Sequence, residues 1–133
     1  VASGDEEMSC HVSEIAGDKL VNRADFPLEG NIIVPTSFNI GDIEISIFTN
    51  GKSPLMARQL RKKLQSNITE DDVAQIELQD FARSILKDKV EDQKERRDCL
   101  YTIFEDEKIS EFIENKQIDE AKDYIEKLIR GLL

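Results

Sequence analysis

Ile43, Ile45 and Ile47 alternate with Asp42, Glu44 and Ser46, the two-residue period of a strand with one buried face. Ile32, Val34 and Ser37 to Ile40 lead into this stretch through Asn39-Ile40-Gly41-Asp42, which predicts a hairpin of strands 32–38 and 43–48. Upstream, Val1 to Gly4 reads as the tail of a strand. Asp5-Glu6-Glu7 suits the first turn of a helix that Gly17 ends, and Lys19 to Ala24 reads as a second short strand. Strand, helix, strand is the edge of a parallel sheet. From Pro54 onward the period changes to three and four, predicting four or five helices. Ala74, Leu78, Phe81, Ala82 and Ile85 form one stripe, Leu100, Ile103 and Phe104 another, and Ile109, Phe112 and Ile113 a third. Ile118, Ala121, Ile125, Leu128 and Leu132 give the last helix a narrow seam.

Between the two halves, Thr49-Asn50-Gly51 breaks the strand, Ser53 reads as an N-cap and Pro54 as the first helical residue. The N–H groups of that helix start, with Lys52 beside them and Arg58, Arg61 and Lys62 further along, would attract carboxylates or phosphates. A strand, a polar turn and a capped helix also make an ordinary βα unit, so both readings stand. Thr69 before Glu70-Asp71-Asp72 marks the boundary with the helical part.

The formal charge of -10 argues against a general nucleic-acid or acidic-membrane binder, because polyanions would be repelled. A length of 133 residues fits one domain or two small ones. Cys10 and Cys99 show no metal or disulfide spacing, and His11 has no ligand partner at metal spacing, so no metal site is expected. The absence of a membrane-length apolar run or a signal peptide makes the cytoplasm the expected location.

Four motifs in order, VASGDEE, VNRADFP, NIIVPTSF and ISIFTNGKSPLMARQLRKKL, resemble the precorrin-2 dehydrogenase and sirohydrochlorin ferrochelatase family, the siroheme synthases, along essentially the whole chain. The resemblance implies an α/β plus α fold: residues 1–25 as the edge of a Rossmann-like NAD-binding domain, 26–68 as a central βα dimerisation and substrate domain, and 69–133 as a helical domain. The Gly-rich G-x-G-x-x-A turn that cradles a dinucleotide is absent from these residues, so the expectation is a piece lacking most of the cofactor domain and inactive alone.

The implied activity is NAD-dependent oxidation of precorrin-2 to sirohydrochlorin, with ferrous iron as a second substrate where the chelatase activity is also present. Implied with it is a homodimer acting on a tetrapyrrole, without nucleic acid or membrane. By the same resemblance Asp25 is the candidate catalytic base, and Ser3, Gly4 and Asn22 are candidate cofactor contacts. Thr49, Asn50, Gly51, Lys52, Ser53, Arg58 and Arg61 are candidate contacts for the substrate's carboxylate rim. Residue by residue the plainer alternatives stay open: Asp25 before Phe26-Pro27 can open a turn, and Asn22, Thr49 and Asn50 can satisfy local backbone groups. A rival of another class is a non-catalytic dimerisation or adaptor module, which leaves Asp25 and the 53–64 motif unexplained.

Overall fold

The computed structural model describes residues 4–132 as a mixed α/β chain in two compact units, residues 1–67 and 68–133. In the first unit, α1 (Glu6–Ile15) starts at Asp5, whose carboxylate accepts from the Met8 N–H at 3.2 Å. Gly17 follows at φ +58°, the left-handed conformation that stops a helix.

The stretch 19–24, expected as a strand, is not one. Its hydrogen bonds are taken by a side chain: Asn31 Oδ1 accepts from the Val21 N–H at 2.6 Å, and Asn31 Nδ2 donates to the Lys19 carbonyl at 2.9 Å. The Asn31 and Ile32 N–H groups both donate to the single Val21 carbonyl, at 3.1 and 3.4 Å, which anchors one residue and extends no ladder. Close approach of the two segments requires Gly30, where a Cβ would lie 2.6 Å from the Val21 carbonyl oxygen. The strand expected at Val1 to Ser3 lies outside the described residues, and no parallel edge forms among those described.

The sheet consists of β1 (Thr36–Ile40) and β2 (Ile43–Ile47), antiparallel, with Phe38 opposite Ile45 and Ile40 opposite Ile43. Its first strand begins later than the apolar pattern at 32–34 predicts, because Pro35 brings no N–H to a ladder. The turn narrows to Gly41-Asp42, with Gly41 at φ +53° in a position that favours glycine. Helix α2 (Pro54–Asn67) packs on both strands, and among the described residues of this unit Phe38 and Ala57 are the buried apolar ones.

The second unit contains α3 (Glu70–Lys89), α4 (Gln93–Phe104), α5 (Glu107–Glu114) and α6 (Ile118–Leu132). Thr69 caps α3 through a capping box: its hydroxyl accepts from the Asp72 N–H and the Asp72 carboxylate accepts from the Thr69 N–H. Leu78, Ala82, Leu86, Ile103, Ile109, Ala121, Ile125 and Ile129 bury themselves in one core, each large side chain contributing about 1.5–3 kcal/mol against exposure. The expected stripes hold with two corrections. Phe104 is 56% exposed because its neighbour Ile103 takes the inward position, and adjacent helical residues point roughly 100° apart. Leu132 is likewise exposed, at the end of α6.

Candidate functional site

The residues that the sequence singles out fall on two sides of the segment 22–25. Asn22 and Ala24 line a cleft of about 210 Å³ in the first unit, together with Pro27, Thr49, Gly51 and Ala57. Arg23 and Asp25 are not among the residues lining it.

The turn above this cleft is built by backbone conformation. Asn50 (φ +54°) and Gly51 (φ +70°) both adopt left-handed angles, and the Lys52 N–H closes the turn on the Thr49 carbonyl at 3.0 Å. A side chain at Gly51 would press on the Pro27 ring at 3.3 Å. The Thr49 hydroxyl donates to the Ser53 carbonyl at 3.2 Å, and Ser53 Oγ accepts from the Met56 N–H at 3.1 Å. Thr49 and Ser53 thus tie the turn to the start of α2, and the serine hydroxyl occupies one of the donors expected to receive an anion. Asn50 and Lys52 are exposed on the turn.

The two arginines of α2 behave differently. Arg61 lies over the buried Phe38 ring at 5.6 Å, whereas Arg58 is exposed. The acidic residues at 70 and 72 are otherwise engaged: Glu70 pairs with Lys116 at 2.8 Å and Asp72 completes the α3 cap.

Asp25 sits on the other side. Its carboxylate accepts from Arg23 Nε at 2.8 Å and Nη2 at 2.6 Å, a two-point pair. These bonds hold the Asp25 carboxyl well below the usual carboxylate range, and the same pair raises the Arg23 guanidinium. Arg23 also meets Glu29 at 3.3 Å, the Cys10 sulfur at 3.7 Å and the Phe26 ring at 5.9 Å. Arg23 is not among the residues that the sequence singles out. The available signal is the Arg-x-Asp spacing, close enough for a local pair across the bend at 24–26.

No protein-family model matches the chain. It is 33% identical over 110 residues to the precorrin-2 dehydrogenase of Methanosarcina barkeri, covering 81% of this chain and 48% of that protein. Over 127 residues it is 27% identical to the siroheme synthase of Mannheimia succiniciproducens, covering 94% of this chain and 26% of that protein. The solved structure of SirC, a precorrin-2 dehydrogenase, superposes on 96% of this chain with a TM-score of 0.70 and 26% identity. This chain is a relative of the precorrin-2 dehydrogenases.

The chain spans about half the length of the curated precorrin-2 dehydrogenases it matches. Among the described residues, the N-terminus of α1 offers no seat for a dinucleotide pyrophosphate. The N-terminus of α1 is filled by the Asp5 carboxylate and flanked by Glu6 and Glu7, which repel a pyrophosphate. Gly4, at φ +73°, stands in open space, and Ser3 lies outside the described residues. Among the described residues no helix is long and apolar enough to cross a membrane.

Proposed function

We propose that the protein to which these residues belong oxidises precorrin-2 to sirohydrochlorin on the route to siroheme, with NAD as hydride acceptor and ferrous iron insertion as a second activity. The reading rests above all on the extent of the likeness to precorrin-2 dehydrogenases, which reaches across four-fifths of the chain at 33% identity. The first unit agrees with it in kind: the cleft offers a mainly apolar wall, and Lys52 on the turn with Arg58 and Arg61 on α2 are the candidate cations for the substrate's acidic groups. Thr49, Asn50, Gly51 and Ser53 shape the turn beside the cleft, and Asn22 lines its wall. Asp25, which does not line the cleft, is the candidate catalytic carboxylate. Its pairing with Arg23 suits a fixed anion better than a base that titrates near neutrality.

In this reading residues 1–25, including Ser3 and Gly4, close the edge of a Rossmann-like NAD-binding domain, 26–68 form the dimerisation and substrate domain, and 69–133 the helical domain. The enzyme works in the cytoplasm as a homodimer through the hairpin, and the 133 residues alone do not turn over. The complete protein, incubated without oxygen with precorrin-2 and NAD, should yield the sirohydrochlorin absorption spectrum. A folded complete protein that leaves precorrin-2 unchanged, while forming dimers through the hairpin, would establish the adaptor reading instead.

A further inference from the structure

We propose that Arg23 is the positioning residue for Asp25: a buried guanidinium grips both carboxylate oxygens and presents the group in one orientation. The inference rests on the proposed role of Asp25 and adds a residue to it. The Arg23 side chain is 3% exposed and that of Asp25 24%, so the cation is buried and the carboxylate reaches solvent. The guanidinium is itself fixed from three further directions: Cys10 on α1, Glu29 on the 3₁₀ turn Pro27–Glu29, and the Phe26 ring. A planar fork anchored on several sides cannot swing with its partner, so it dictates where the carboxylate edge lies.

The charged and titratable groups around this pair are Glu29 and the Cys10 thiol, both facing Arg23, and backbone hydrogen bonds at Asp25 and Phe26 add to the hold on the carboxylate. With these donors around it, Asp25 stays ionised through the range in which a free carboxyl titrates. It can therefore serve as a constant negative acceptor for substrate N–H groups, and it should add no acidic limb to the pH profile above about pH 4. A buried guanidinium with no carboxylate would be costly, so the two residues are expected to act as one unit.

The test uses the complete protein with Asp25→Asn, Arg23→Met and Arg23→Lys, all checked for fold by circular dichroism. Two readouts are taken from about pH 4 to 8: kcat/KM for precorrin-2, and the Asp25 carboxyl ¹³C resonance of the protein without substrate. In the unaltered protein the resonance should not titrate in this window. In Arg23→Met it should move into the ordinary carboxylate range, an acidic limb should appear in kcat/KM, and kcat should fall about 10–100-fold with little change in KM. Arg23→Lys should recover part of the rate.

A folded Arg23→Met protein with unaltered resonance and rate overturns the inference. Should the methionine variant not fold, a folded Arg23→Lys protein indistinguishable from the unaltered one does the same, since a lysine cannot reproduce the two-point grip. If Asp25→Asn keeps its turnover, the role of Asp25 fails and the catalytic side of the inference with it. The resonance still separates that outcome from failure of the clamp.

Discussion

The two units solve the problem of stability in opposite ways. Residues 68–133 bury Leu78, Leu86, Ile103, Ile109, Ile125 and Ile129 almost completely, in a core shared by four helices. Residues 1–67 bury Phe38 and Ala57, and their remaining order depends on polar devices: the Asn31 clasp, the Thr49–Ser53 tie and the Arg23–Asp25 pair. Most of the exposed large apolar side chains, among them Ile33, Val34, Phe48, Leu55 and Met56, also belong to this first unit. The contrast teaches that the candidate chemistry sits where packing is weakest and hydrogen bonding fixes the backbone, a division expected when binding loops are carried on a more stable scaffold.

The largest effect expected from breaking this contrast is in the helical core. Ile125→Ala should destabilise residues 68–133 by about 2–5 kcal/mol in urea unfolding, while turnover of the complete protein below its melting temperature stays unchanged. Gly30→Ala should come next, at about 1–3 kcal/mol, because the new Cβ meets the Val21 carbonyl oxygen rather than a movable side chain. Faster hydrogen exchange at the Val21 and Asn31 amides would locate the damage, and unchanged exchange there would refute the clasp. Thr69→Ala should cost about 1 kcal/mol by removing the α3 cap, with no effect on substrate kinetics.

The smallest and most discriminating effect concerns α2. Arg61→Ala should lose about 0.5–1 kcal/mol through its contact with Phe38, whereas Arg58→Ala should leave the melting temperature unchanged. If both face the acidic rim of the substrate, each should raise KM for precorrin-2 more than it lowers kcat, increasingly so at low salt. A thermal loss in both variants without a KM change would remove the substrate role from this helix.

The same contrast explains what could be read in the sequence. The helices of the second unit follow from apolar residues at three- and four-residue spacing, and the hairpin follows from Ile43, Ile45 and Ile47 because one-sided burial leaves a period of two. The Ser53 and Thr69 caps were legible for a similarly local reason: the side chain that satisfies the helix start lies within three residues of its target. The stretch 19–24 was misread, since its apolar and polar residues suit a strand while its partner is one asparagine side chain ten residues away from Val21. At the site, Asn22, Thr49 and Gly51 share a cleft that residue types alone do not reveal. Arg23 was missed because a buried cation between Asn22 and Ala24 makes sense only once Asp25, Glu29 and Cys10 surround it.

The central claim is that function resides in the weakly packed first unit, with the Asp25 carboxylate essential to it. It is tested most directly by measuring anaerobic, NAD-dependent conversion of precorrin-2 by the complete protein carrying Asp25→Asn, alongside its melting temperature. The expected result is loss of turnover by at least about 100-fold, the lower end for a group acting on protons or charge in the transition state, with the fold intact. Near-normal turnover by a folded Asp25→Asn protein would contradict the claim.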